Sequence, residues 1–382
     1  MRTRRATIAV VVGVGAACST AAPVRRRALV LLLLAACALL LAAAPALAAR
    51  SDAKAMWGPV SVNGASEFPV YQKLGVGIFE MSLSWRTIAP TRPRNPRNPN
   101  DPAYHWPADI GYALAQAAHY HMRVLLLAIG TPPWANGGRP FNWAPDRAGQ
   151  FADFLTAAAR RYRAVHLWMV WGEPSRGPNF EPLTPVPPGQ RTLSATQATA
   201  PHRYAQLLDA SYAALKHQSA RNLVIGGNTY TTGDISTRQW IENLRLPGGR
   251  RPRMDLYGHN PFSFRAPNLA NPPSPNGEVD FSDLARLSRL VNRTLAPPHH
   301  SIKLFLSEWT IPTGPDSEFN FHATRAVQAQ WITDAWRIVR HSSFIYALGW
   351  IHLFDDAPGG SMGGLLDHQG NPKPGFFAFK AG

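Results

Sequence analysis

Arg123-Val124-Leu125-Leu126-Leu127-Ala128-Ile129-Gly130 sets six apolar residues in a row between an arginine and a glycine. A strand with one wet face alternates apolar with polar residues, so a run this short and this continuously apolar reads as a strand covered on both faces. Similar β-forming runs recur on either side of it. Strands are expected at 57–62, 77–85, 123–130, 166–171, 222–227, 254–258, 302–307 and 346–353. Segments of helical period lie between them. The clearest, 146–163, puts Phe151, Phe154, Leu155, Ala158, Ala159 and Tyr162 on one stripe. A second groups Tyr204, Leu207, Leu208 and Tyr212, and a third Trp331, Ile332, Ala335, Trp336 and Val339. Strand and helix alternating eight times predict a parallel sheet under helices, and at this length the expected form is a single (β/α)8 TIM barrel.

Residues 1–49 stand apart from that pattern. Arg25-Arg26-Arg27, an apolar run over 28–44 and Ala46-Leu47-Ala48 follow the order of a secretory signal peptide, with cleavage expected near Ala48 or Ala49. A weaker apolar stretch over 8–17 makes the leader long and suggests a start at Val24. Leu34-Ala35-Ala36-Cys37 also fits a lipidation box, which leaves lipid anchoring at Cys37, or an uncleaved anchor, as alternatives to release. Both cysteines of the chain, Cys18 and Cys37, fall in this segment, so residues 50–382 hold no thiol for a disulfide or a cysteine-ligated metal. The leader's six arginines, with no acidic residue beside them, account for 6 of the +16 formal charge and leave +10 on residues 50–382. Loops such as Arg92-Pro93-Arg94-Asn95-Pro96-Arg97 carry much of it, either as solvated loop or as a surface for anionic polymers. No nucleic-acid motif is present. A secreted or extracellular, monomeric protein is the expectation.

Helix-to-strand connections are short, whereas the strand-to-helix loops at 86–106, 175–200 and 262–280 are long and rich in Pro, Gly and Asn. In a TIM barrel those long loops gather at the C-terminal face, where active sites of this fold sit. Two glutamates end apolar strands on that face. Glu173 follows His166-Leu167-Trp168-Met169-Val170-Trp171-Gly172, and Glu308 follows Lys303-Leu304-Phe305-Leu306-Ser307. A carboxylate there must be hydrogen-bonded, paired or used. Flanking Trp171 and Trp309 would supply apolar walls that raise a carboxyl pKa. Two carboxyls facing each other across a barrel mouth suit cleavage of a glycosidic bond, one protonating the leaving oxygen and the other attacking the anomeric carbon or activating water. Structural ion pairs with arginine are the alternative.

Trp171-Gly172-Glu173-Pro174, Ser307-Glu308-Trp309 and Gly349-Trp350 resemble glycoside hydrolase clan A, nearest to family 39-like and cellulase-family glycosyl hydrolases of actinobacterial type. The likeness extends through 83–90, 130–135, 259–262 and 364–374, nearly the whole chain after the leader. It implies a retaining double displacement, with Glu173 as acid/base and Glu308 as nucleophile, acting on an oligo- or polysaccharide. It also implies sugar stacking on Trp350 and Trp134, which could instead be barrel packing. His259 and Asn260 would face the substrate, His259 as a donor near the nucleophile or as a satisfied structural histidine. Two positions depart from the pattern: Gly172 stands where the clan has an asparagine contacting the sugar 2-hydroxyl, and Glu80 where it has an arginine.

Those departures keep two rivals open, a secreted carbohydrate-binding barrel without catalysis and a transglycosylase. Neither cofactor nor metal is expected. The histidines, His299-His300 included, lack His-Glu-x-x-His spacing, and there is no Gly-x-Ser-x-Gly elbow, phosphate loop or dinucleotide fingerprint.

Overall fold

The computed structural model describes residues 53–382. The signal segment, the start at Val24 and the Cys37 anchor fall outside the described residues.

Eight parallel strands close into a barrel: β1 Lys54–Trp57, β2 Ile78–Ser84, β3 Arg123–Ile129, β4 Leu167–Val170, β5 Leu223–Tyr230, β6 Leu256–Asn260, β7 Lys303–Leu306 and β8 Ile345–Trp350. Each pairs with the next, and β8 closes on β1 with Ala55 opposite Gly349. The helices between them are α1 Phe68–Leu74, α2 Ala108–His119, α3 Ala148–Arg161, α4 Thr199–Gln218, α5 Thr237–Glu242, α6 Leu284–Thr294, α7 Arg325–His341 and α8 Pro374–Ala381. This is the expected (β/α)8 barrel.

The six-residue run that pointed to the fold now divides by face. Leu125 and Leu127 point inward with Ala55, Ile78, Leu167, Met169, Ile225, Leu256, Phe305 and Ala347, filling the barrel. Val124, Leu126 and Ala128 point outward into the larger core beneath the helices. Both faces are dry, so alternation has nothing to mark. The stripe on α3 is buried as expected, from Phe151 to Tyr162.

The first strand lies elsewhere than the sequence suggested. Residues 57–62 contribute only Trp57 to β1, while Ser61–Val62 pairs antiparallel with Ala65–Ser66. Asn63 and Gly64 turn that ribbon with φ of 49° and 80°, the left-handed pair that a tight hairpin requires. The true strand was masked by a lysine. Lys54 is 2% exposed, and its ammonium donates to the carbonyls of Leu74, Phe379 and Lys380 at 3.2, 2.7 and 2.9 Å. It thereby satisfies carbonyls at the ends of α1 and α8 that lack helical donors. At the other strands the bounds move by at most three residues.

Candidate active site

After β4 the backbone turns sharply. Trp171 and Glu173 both take left-handed φ, 67° and 45°, a costly conformation for residues with a side chain. Two sets of contacts hold the turn. The Trp171 indole donates to the carbonyl of Asn179 at 2.7 Å, and three side chains converge on the Glu173 carboxylate. Arg176 Nη1 donates to Oε2 at 2.6 Å, Asn179 Nδ2 to Oε2 at 3.0 Å, and Asn260 Nδ2 to Oε1 at 2.9 Å. Glu173 is 7% exposed, so these donors replace most of its water.

Glu308 follows β7 and is partly exposed to the same mouth. Burial raises its pKa to about 8, and the negative charges of Glu173 and Glu318 push in the same direction. Arg176 and a hydrogen bond from Asn260 pull it down. Asn260 therefore serves both carboxyls. It ends β6, between the two, and is fully buried. Tyr230, at the end of β5, also feels both: burial and the two glutamates push its phenol up to about 12, while Arg176, stacked over its ring at 4.5 Å, works against them.

The structure thus brings Glu173, Glu308 and Asn260 together and sets the other expected residues apart. Trp350 is 0% exposed, donates its indole N–H to the carbonyl of Gly363 at 3.1 Å and packs edge-on against Trp309. It is barrel packing and offers no face to a sugar. Trp134 is also occupied: its N–H meets the carbonyl of Ala89 at 2.8 Å, its ring packs against Trp85, and Arg92 covers it. His259 is the satisfied structural histidine. Its Nε2–H must donate to the carbonyl of Val279 (2.9 Å), which leaves Nδ1 to accept from Thr229 Oγ1 (2.9 Å), and burial pushes its pKa down to about 4. Trp171 and Trp309 do not wall the carboxyls either. Trp171 packs against Phe151 and Phe180, and Trp309 against Phe281, in the layer between strands and helices.

Arg176, Asn179 and Tyr230 escaped the sequence reading. Arg176 and Asn179 lie three and six residues after Glu173, a spacing in which only a turn brings all three together, and turns are poorly marked in a stretch of Pro, Ser and Gly. Asn228 is the fourth. A Cβ on Gly172 would sit 4.0 Å from its Nδ2 and 3.4 Å from the inward-pointing Leu127, so the Asn228 amide lies in the barrel interior beside Gly172. It is fully buried, and neither amide atom has a hydrogen-bond partner. An unpaired amide from β5 thus lies beside the position at which the resemblance expects an asparagine.

On the same face a groove of about 940 Å³ runs between the loops after β4, β5 and β6, with Arg191, Asp234, Arg238 and Glu278 among its walls. It is tied to the site through Gly177, whose N–H donates to Asp234 Oδ2 at 2.8 Å. Among the described residues no group of three or more His, Cys, Asp or Glu is placed to hold a metal ion, and no helix is long and apolar enough to cross a membrane.

No protein-family model and no curated protein matches the chain. Solved structures do match in shape. One is a family 39 glycoside hydrolase from the gut symbiont Bacteroides cellulosilyticus WH2, with a TM-score of 0.64 at 15% identity over 87% of this chain and 64% of that one. Another is a glucosidase from Croceicoccus marinus, with a TM-score of 0.58 at 14% identity over 85% of this chain and 64% of that one. A third is a monomeric beta-xylosidase from Caulobacter crescentus CB15, with a TM-score of 0.57 at 15% identity over 86% of this chain and 67% of that one. The chain therefore spans about two thirds of each, and what it shares with them is the closed eight-stranded barrel: it has the fold of the family 39 glycoside hydrolases.

Proposed function

We propose that this chain is a secreted, retaining glycoside hydrolase in which Glu173 and Glu308 divide the cleavage of a glycosidic bond. The observation that carries the reading is a pair of carboxyls at the ends of β4 and β7 close enough for the charge of Glu173 to raise the pKa of Glu308, with Asn260 bonded to Glu173 at 2.9 Å between them. Both stereochemical courses use such a pair, about 5–5.5 Å apart in retaining enzymes and about 6.5–9.5 Å in inverting ones, and the resemblance to clan A is what favours retention.

In the first step Glu308 attacks the anomeric carbon and Glu173 gives its proton to the departing oxygen. In the second, Glu173 takes a proton from water as the water displaces Glu308. Arg176, Asn179 and Asn260 hold Glu173 in position, and the Tyr230 hydroxyl remains protonated beside the pair. The polar groove next to the site suits a substrate longer than one sugar.

One observation favours the exchanged assignment. Three donors converge on the Glu173 carboxylate, while burial and the charges of Glu173 and Glu318 raise the pKa of Glu308, which would suit Glu308 as the acid and Glu173 as the nucleophile. An activated 2-fluoro glycoside followed by peptide mass mapping tests both. An adduct on Glu308 is the expected result, and an adduct on Glu173 exchanges the roles. Sugar binding with neither adduct nor hydrolysis would leave a carbohydrate-binding barrel.

A further inference from the structure

Glu80 lies inside the barrel. Its strand neighbours across the sheet are Trp57 on β1 and Leu125 on β3, and it is 1% exposed. Its Oε2 is 2.7 Å from the hydroxyl of Ser307, the residue before Glu308, and that hydroxyl also accepts from the Trp57 indole at 3.1 Å. Oε1 has no partner. On the fourth side is Gly349 of β8, where a Cβ would come within 2.6 Å of Oε1 and 2.0 Å of the carbonyl of Ser307. Glycine at 349 is therefore what lets the carboxyl and the end of β7 occupy the same layer.

Among the described residues no cation is paired with this carboxyl. Trp57, Leu125, Ser307 and Gly349 are uncharged, and the one charged group that acts on it is Glu308, which repels it. A carboxylate in apolar surroundings, with a hydroxyl and no counter-charge, is too costly to remain ionised. A carboxylic acid fits: either it or Ser307 donates across the 2.7 Å contact, and both arrangements keep the group neutral.

We infer that Glu80 is a positioning residue for Glu308, a carboxylic acid that keeps its own proton and, through Ser307, fixes the strand end that presents Glu308 to the mouth. The inference rests on the proposed use of Glu308 but not on which step Glu308 takes. Burial raises the pKa of Glu80 well above the ordinary carboxyl range, in agreement with the geometry. The arrangement also explains how three carboxyls coexist in one barrel mouth: the lowest is uncharged and adds no repulsion to the pair.

The test needs no substrate, so it stands even where no glycoside is cleaved. Protein labelled with carboxyl-13C glutamate is followed by infrared spectroscopy and by carbon NMR across pH. At neutral pH, where Glu308 with its pKa of about 8 also contributes, the wild type should show protonated-acid carbonyl bands of which one is lost in Glu80→Gln and kept in Glu308→Gln. The Glu308 titration midpoint, identified by its loss in Glu308→Gln, should stay in place in Glu80→Gln, where one neutral group replaces another. It should move in Glu80→Leu, where Ser307 loses its partner. A midpoint that falls in Glu80→Gln would mean that a negative charge had been removed, and would overturn the proposal. So would a set of acid bands none of which depends on position 80, or a midpoint unmoved in Glu80→Leu. Thermal melting of each variant identifies any that fails to fold. For folded Glu80→Gln, melting relative to wild type should improve from the ordinary carboxyl range upward, because a raised native pKa contributes stability that fades as pH rises.

Discussion

The end of β4 and the end of β7 are built in opposite ways. Around Glu173 the chain supplies a guanidinium and two amides and spends two left-handed residues to aim the carboxyl at them. Around Glu308, which is open in part to the mouth, no ion pair forms among the described residues, and a further carboxyl lies beneath the strand end, bonded to Ser307. Glu308 thus carries a raised pKa in a cavity that it shares with a second carboxyl, and unequal surroundings of this kind let one carboxyl act as acid while the other acts as base. The difference also shows why neither glutamate can be understood alone: Arg176 and Asn260 act on both, and the proton belongs to the pair.

Replacing each carboxyl by its amide should have the largest effect and should show the asymmetry. Glu173→Gln and Glu308→Gln are both expected to lose about 10²–10⁴-fold in kcat/KM on an aryl glycoside. Their stabilities should diverge. Glu173→Gln removes the counter-charge of Arg176 and should melt lower by about 1 kcal/mol, a modest figure because Arg176 is partly exposed to solvent. Glu308→Gln removes a group whose native pKa is raised from 4.5 to about 8. The raised value means that Glu308 stabilises the fold below its unfolded pKa and ceases to do so as pH climbs through 8. Glu308→Gln should therefore gain on wild type between pH 5 and pH 8 in thermal melts, and equal shifts for both variants would erase the contrast.

Asn260→Ala comes next. With its shared donor gone, kcat/KM should fall by about 10–100-fold, the range for a hydrogen bond to a charged group. The pH limb set by Glu308, the acidic one with Glu308 as nucleophile and the alkaline one under the exchanged roles, should move up, since Asn260 lowers the pKa of Glu308. Arg176→Gln should move the same limb upward by less, because water screens a half-exposed guanidinium. A limb that moves down in either variant would reverse the sign assigned to these groups. Smallest is Trp350→Phe. Losing the hydrogen bond to Gly363 should cost about 1 kcal/mol of stability with KM unmoved, whereas a rise in KM would return this indole to the substrate.

The barrel was legible because its signals are local: an apolar run, a stripe at helical spacing, and loops long on one side only. The paired glutamates were legible because a charged residue ending a dry strand is conspicuous. What the sequence concealed depends on direction. Trp350 and Trp134 are the large aromatics that a sugar would favour, but composition does not say whether an indole turns toward the mouth or toward the helices, and both are used as walls. Glu80 read as a defect while it was only a missing arginine, and became intelligible once Ser307 and Gly349 surrounded it. Gly172 misled in the same way, since the amide beside it arrives from Asn228, 56 positions later in the chain.

Lys54 carries a consequence for the order in which the molecule assembles. Its contact with Phe379 spans 325 positions, and the neighbouring pairing of β1 with β8 joins the same two regions. Closing so wide a loop is slow, and nothing rewards it until the final helix exists. As the polypeptide folds, the sheet is therefore expected to stay open along one raw edge until the segment around Phe379 docks, and the seam between β1 and β8 to seal late.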